Sequence, residues 1–134
     1  MEEQEFHKKE FIFRGKTLEE LQKLDTREFA KFLKSTQRRA ILRQTEIIEM
    51  FLQKCQKRIE KSKNILTHNR SIVIVPKLVG LTVQVYSGKQ YVPVKIEQEM
   101  LGHRLGEFVP TRTKVQHGAP GIGATKSSAA MSVK

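Results

Sequence analysis

Leu81-Thr82-Val83-Gln84-Val85-Tyr86-Ser87-Gly88-Lys89-Gln90-Tyr91-Val92-Pro93-Val94-Lys95-Ile96 is the stretch that decides the fold. Leu81, Val83 and Val85 alternate with Thr82, Gln84 and Tyr86, the period of a strand buried on one face. Ser87-Gly88 supplies a tight turn and Gln90 to Ile96 returns, which makes a β-hairpin. Pro93 has no N–H for a ladder, so the returning strand lies at an edge or turns that position away from a partner. Upstream, Ile72-Val73-Ile74-Val75 is a β-branched run ended by Pro76 and reads as a further strand. Asn64 to Arg70 separates it from a helical region and carries no helical pattern.

That helical region opens at Thr17-Leu18-Glu19-Glu20, which has the form of a capping box. The Thr17 hydroxyl can accept from the N–H three residues on while Glu20 reaches back to the Thr17 N–H. Leu18, Leu21 and Leu24 share one helical face. Asp25-Thr26-Arg27-Glu28 starts a second short helix with Phe29, Phe32 and Leu33 inside, so a helical hairpin is expected. Thr45 is placed to cap a longer helix reaching about Lys63, with Ile47, Ile48, Phe51, Leu52, Cys55 and Ile59 close to one stripe. Before these helices, Phe11-Ile12-Phe13 is an apolar patch closed by a turn at Arg14-Gly15-Lys16. Residues 1–10 mix Glu and Lys and read as a mobile tail.

Downstream of the hairpin, Glu97 to Leu105 has room for one helical turn around Met100 and Leu101. From Pro110 onward periodicity stops, and Gly, Pro, Ser and Thr accumulate. Such a tail buries no core by itself. The fold expected is α+β: short N-terminal helices, a small three-stranded antiparallel sheet and an extended basic C-terminal tail. Its divisions fall at 1–10 for the mobile tail, 11–63 for the helical extension, 64–109 for an α+β RNA-binding core and 110–134 for the extended tail.

Charge narrows the partner. The chain has 25 Lys+Arg against 14 Asp+Glu, a formal net charge of +11. Residues 61–134 hold all but three of their charged side chains as cations, the exceptions being Glu97, Glu99 and Glu107. A polyanion is the partner this implies, since each cation that meets a phosphate releases condensed counterions. No apolar run approaches the roughly 20 residues that span a bilayer, and the acidic Met1–Glu5 is unlike a secretory signal. The single cysteine, Cys55, makes no internal disulfide and fits a reducing cytosol; on its apolar stripe it reads as a small core residue. His7, His68, His103 and His117 lack the close spacing of a zinc site. No acid/base constellation for catalysis is present, and no cofactor or small-molecule substrate is expected. Gly118 to Gly123 has the glycine spacing of a phosphate loop, but Ala124-Thr125 intervene before Lys126-Ser127, where Lys must follow the last glycine directly.

Two basic sets carry more weight. Lys31 to Arg43 contains no acidic residue, so Arg38, Arg39 and Arg43 read as phosphate contacts and not as salt-bridge lacing. In the tail, Arg112, Lys114, His117 and Lys126 lie among small residues that let a backbone come close to a sugar–phosphate chain.

The residues also carry a resemblance. Thr67-His68-Asn69-Arg70, Val79-Gly80-Leu81-Thr82-Val83, Ser87-Gly88-Lys89, Tyr91-Val92-Pro93-Val94, Met100-Leu101-Gly102-His103-Arg104-Leu105-Gly106-Glu107-Phe108 and Thr111-Arg112-Thr113 closely resemble the small-subunit ribosomal protein nineteen family. His117 to Ser128, Phe13-Arg14-Gly15 and Gln37-Arg38-Arg39 resemble its archaeal and eukaryotic branch, whose eukaryotic members are numbered fifteen. The likeness spans about residues 11–128; Ala129 to Lys134 depart from the family's usual ending.

The resemblance implies a cytoplasmic ribosomal protein in the head of the small subunit, bound to the 3′ major domain of its ribosomal RNA. It also implies a ribosomal protein thirteen family neighbour and a tail directed at the decoding region and its transfer RNA. By matching position it implies RNA contacts at Arg70, Lys89, His103, Arg104, Arg112, Lys114, His117 and Lys126. Gly102, Gly106, Gly118, Gly121 and Gly123 would shape the backbone, and Glu107 would hold a neighbouring Arg or cap a turn. The competing reading is a basic interaction module or regulator that works off the ribosome.

Overall fold

A computed structural model describes residues 9–116. The chain enters through a two-stranded hairpin, β1 (Ile12–Phe13) and β2 (Lys16–Thr17). Arg14 and Gly15 both have positive φ, 51° and 80°, as a two-residue turn between twisted strands requires. Thr17 then starts α1 (Leu18–Lys23). The reciprocal cap forms: Glu20 N–H donates to Thr17 Oγ1 at 3.5 Å and Thr17 N–H to Glu20 Oε2 at 3.3 Å. Helix α2 (Thr26–Ala30) opens similarly, with Asp25 N–H donating to Glu28 Oε2 at 3.3 Å.

Helices α3 (Ser35–Arg43) and α4 (Thr45–Glu60) follow, separated only by Gln44. Thr45 does not cap α4, as its sequence position suggests. It is the first helical residue, is buried, and donates its hydroxyl back to the Ile41 carbonyl of α3 at 2.8 Å. Helix α4 stops short of Lys63. Ser62 takes a left-handed φ of 52°, and Lys63 N–H closes onto Arg58 O at 2.8 Å, a Schellman ending. Ile48, Phe51 and Cys55 form its buried stripe, whereas Ile47 and Ile59 lie at its margins, 46% and 49% exposed.

The sheet departs from the all-antiparallel expectation. Its strands are β3 (Ile65–Thr67), β4 (Thr82–Tyr86) and β5 (Tyr91–Lys95), in that spatial order. β4 and β5 are the antiparallel hairpin, and Pro93 sits on an edge strand. β3 pairs with β4 in parallel, Ile65 opposite Val83 and Thr67 opposite Val85. The long return from residue 68 to 81 allows that direction, since parallel neighbours need a crossover of a dozen or more residues.

Ile72–Val75 is not a strand of this sheet. Every residue in the run is at most 1% exposed, so it lies inside the core. Its backbone pairs with the chain about thirty residues later: Ile74 N–H to His103 O at 2.8 Å, Leu105 N–H to Ile72 O at 3.1 Å, and Gly102 N–H to Ile74 O at 3.2 Å. A run buried on all sides lacks alternation, so its partner has no local sign.

Leu21 and Phe29 of the first helices and Leu33 of the turn after α2 pack in one continuous core with Ile41, Ile48 and Phe51, the buried Ile72–Val75 run, Val83, Val85 and Val94 of the sheet, and Leu101, Leu105 and Val109. A 3₁₀ turn at Gln98–Met100 supplies the short helical piece expected near Met100, and another covers Leu105–Phe108.

Candidate nucleic-acid interface

Arg70 stands where the chain leaves β3 for the buried run. Its guanidinium does not point freely to solvent. It donates to Tyr86 O and Gly106 O, both at 2.8 Å, and to Val109 O. A planar fork with several donors suits three carbonyls that converge from different segments. One side chain thereby ties β4 and the Gly106–Val109 turn to the end of β3. The glycines here are sterically required. A Cβ on Gly106 would come within 2.9 Å of Arg70 Cβ and 3.0 Å of Arg70 O. Gly102 has φ +82°, and a Cβ there would meet Leu33 Cδ2 at 2.9 Å.

Around this bolt the segment shows its polar side chains. Arg104 is half-buried, His103 exposed, and Arg70, Ser71, Arg104, Gly106 and Glu107 line one shallow depression. Glu107 accepts neither from an Arg nor as a turn cap; it pairs with His103 Nδ1 at 2.8 Å, with both side chains about half exposed. Phe108 meets the His103 ring edge-on at a 6.0 Å centroid distance. His103 also shares a second depression with Arg14, Lys34 and Gln37, so the turn of the first hairpin and the start of α3 adjoin the Gly102–Phe108 segment.

The α3 arginines divide. Arg38 turns back to the end of α2, donating from Nε to Ala30 O at 3.3 Å and from Nη2 to Lys31 O and Leu33 O, both at 3.2 Å. It adds donors to carbonyls at and just beyond the C-terminus of α2. Arg39 and Arg43 are exposed. Lys89 is exposed in the turn between β4 and β5, and Arg112 and Lys114 are exposed beyond the last 3₁₀ turn. His117, Gly118, Gly121, Gly123 and Lys126, with the rest of the phosphate-loop-like stretch, lie outside the described residues.

One cationic surface is not among the basic sets that the sequence pattern singles out. Lys54, Lys57, Arg58, Lys61 and Lys63 line an open groove of about 440 Å³ together with Met50 and Gln53. Arg58 donates to Asn64 O at 2.9 Å and Lys54 to Leu66 O at 3.5 Å. The sequence does hold a signal for it: 54, 57, 58 and 61 recur at helical spacing and fall on one face. Among the described residues the only contact of salt-bridge length between a basic and an acidic side chain is His103–Glu107. The cations of this face are therefore not neutralised by acidic side chains, the condition under which a phosphate chain gains most from displacing counterions.

Cys55 stands apart from this chemistry. Burial pushes its thiol up to about 11, and it carries negligible thiolate at neutral pH. Among the described residues no cluster of His, Cys, Asp and Glu is placed to hold a metal, and no helix is long and apolar enough to cross a membrane.

Comparison with known families gives this surface its context. The family model described as Ribosomal protein S19 matches residues 34–117, more than half the chain. The match runs from the start of α3 through the basic groove, the Arg70 bolt and the Gly102–Phe108 segment. The first hairpin, α1, α2 and the turn after α2 precede it and still add Leu21, Phe29 and Leu33 to the shared core. On that match the chain belongs to the ribosomal protein S19 family, whose members are non-enzymatic, RNA-binding constituents of the small ribosomal subunit.

Proposed function

We propose that this chain is an archaeal- or eukaryotic-type member of that family, working in the head of the small subunit of cytoplasmic ribosomes. It binds the 3′ major domain of small-subunit ribosomal RNA and holds together RNA segments that would otherwise repel. The observation that carries this reading is the arrangement of unneutralised cations on a rigid core. Lys57, Lys61 and Lys63 line the α4 groove, Arg39 and Arg43 extend from α3, and Lys89, Arg104, Arg112 and Lys114 follow the sheet and the segment beyond it. Contacts of this kind neutralise phosphates, and RNA shape supplies the specificity.

A neighbour from the ribosomal protein thirteen family belongs to the same proposal. Ile47 and Met50, one turn apart on α4 and 46% and 68% exposed, offer it an apolar contact beside the lysines. The tail from Pro110 onward runs toward the decoding region and its transfer RNA, its small residues permitting close backbone approach.

Sedimentation tests the reading directly. The chain is expected to travel with small subunits and to leave them only at high salt; a chain that stays at the top of a low-salt gradient overturns it. Placement is tested by directed hydroxyl-radical cleavage from a probe on Lys89→Cys in reconstituted subunits. Cuts confined to the 3′ major domain support the head position, and cuts elsewhere remove it.

A further inference from the structure

The three-stranded sheet has one covered face and one open face. Ile65, Thr67, Val83, Val85 and Val94 point into the core and are buried. The opposite face carries Leu66, Gln84 and Pro93 in one row, with Tyr86 opposite Tyr91 in the next and Thr82 opposite Lys95 at the far end. These residues are half-buried or exposed.

At one end of this open face three rings meet. His68 follows β3 directly, Tyr86 ends β4 and Tyr91 begins β5. Ring centroids lie 4.3 Å apart for His68–Tyr86, 5.3 Å for His68–Tyr91 and 5.2 Å for Tyr86–Tyr91. The Tyr91 hydroxyl and His68 Nε2 are hydrogen-bonded at 2.6 Å, which fixes both rings. Tyr91 remains 36% exposed and His68 is exposed, so the cluster keeps aromatic surface for a ligand.

Cations flank it. Lys89 lies in the turn joining the two tyrosines, and Lys54 reaches the edge of β3 at the Leu66 carbonyl. Arg70 holds the Tyr86 carbonyl and so fixes the end of β4. Fixed rings on an open sheet, with positive charge on both sides, form the kind of surface on which an unpaired base stacks while its phosphates meet lysines. A duplex offers no free base face to such a platform.

We propose that His68, Tyr86 and Tyr91 form a stacking platform for an unpaired nucleotide of single-stranded RNA. This rests on the RNA-binding reading above and adds the part of the RNA that is read. The phosphate contacts tolerate any helix; the platform selects a bulge, loop or strand end.

The composition provides a direct probe. Tyr86 and Tyr91 are the chain's two tyrosines and there is no tryptophan, so intrinsic tyrosine emission reports this site alone. Titration of the full chain at low salt with a short oligouridylate is expected to quench that emission, and an RNA duplex of equal charge to leave it nearly unchanged. Tyr91→Ala should bind small-subunit ribosomal RNA about tenfold more weakly with the same salt slope, since no cation is removed. Tyr91→Phe, which keeps the ring and loses only the hydrogen bond to His68, should bind clearly more tightly than Tyr91→Ala. If the chain binds ribosomal RNA in a salt-dependent way but shows neither quenching nor weaker binding in Tyr91→Ala, the platform falls and the RNA-binding reading stands. Equal weakening in Tyr91→Ala and Tyr91→Phe would assign the effect to the hydroxyl and overturn stacking. A chain that binds no RNA removes both.

Discussion

At the end of β3, Arg70 is turned inward and its guanidinium is shared among the Tyr86, Gly106 and Val109 carbonyls. On α4 and just past its end, Lys57, Lys61 and Lys63 carry the same charge and line an open groove. The first region uses a cation as a cross-tie between segments up to 39 residues apart. The second leaves its cations to solvent and counterions. The contrast separates two quantities that net charge merges: charge that holds the fold, and charge available to a polyanion. Arg38 belongs with Arg70, while Arg39 and Arg43 belong with the lysines.

On that division, the strongest effect on stability should come from Arg70. Arg70→Ala removes the guanidinium donors from the Tyr86, Gly106 and Val109 carbonyls at a part-buried junction, and thermal or denaturant unfolding should show a loss of about 2–4 kcal/mol. Arg70→Lys should recover little of it, because an ammonium cannot reproduce the fork. A variant as stable as the parent would erase the distinction between the regions.

Gly102→Ala comes next. It forces a side chain into a positive-φ position and against Leu33 Cδ2, and should cost about 1–3 kcal/mol. Leu33 lies in the turn just before the family match, and Leu33→Ala, which removes that Cδ2, should relieve part of the cost. A double-mutant cycle with no coupling would show that the two segments do not depend on each other.

The α4 groove should behave in the opposite way. Lys57→Ala, Lys61→Ala and Lys63→Ala are each expected to move stability by less than about 0.5 kcal/mol. Each should lower the salt slope of ribosomal RNA binding by a little under one for every phosphate that the missing lysine had neutralised. An unchanged slope in the triple variant would remove this face from the RNA interface. The smallest effect is expected at the His103–Glu107 pair, which is half exposed: Glu107→Gln should change stability by less than about 0.5 kcal/mol.

Much of the local structure is legible in the sequence because its causes are local. Thr17 and Glu20 are three residues apart and cap each other as their spacing predicts. Pro93 lies on an edge strand because it has no N–H to give a second neighbour. The departures have a common origin. The β-branched run Ile72–Val75 reads as a strand of the sheet and is not one, while Ile65–Thr67 is a strand too short to show alternation. Lys54, Lys57, Arg58 and Lys61 share a helical face, but the acidic residues on the same helix mask them in a count of net charge.

The sequence by itself determined the α+β class, the β4–β5 hairpin, the starts of α1 and α2, the polyanionic partner and the family resemblance. These depend on residues within a turn or two of one another, or on composition. Only the tertiary structure decided that β3 runs parallel to β4, that the buried run pairs with Gly102–Leu105, and that Arg70 is a tie between carbonyls. Backbone hydrogen bonds between distant segments leave no periodic trace, since every residue offers the same N–H and C=O. A cation is visible in the sequence; the partner that fixes its role is brought to it only by the fold.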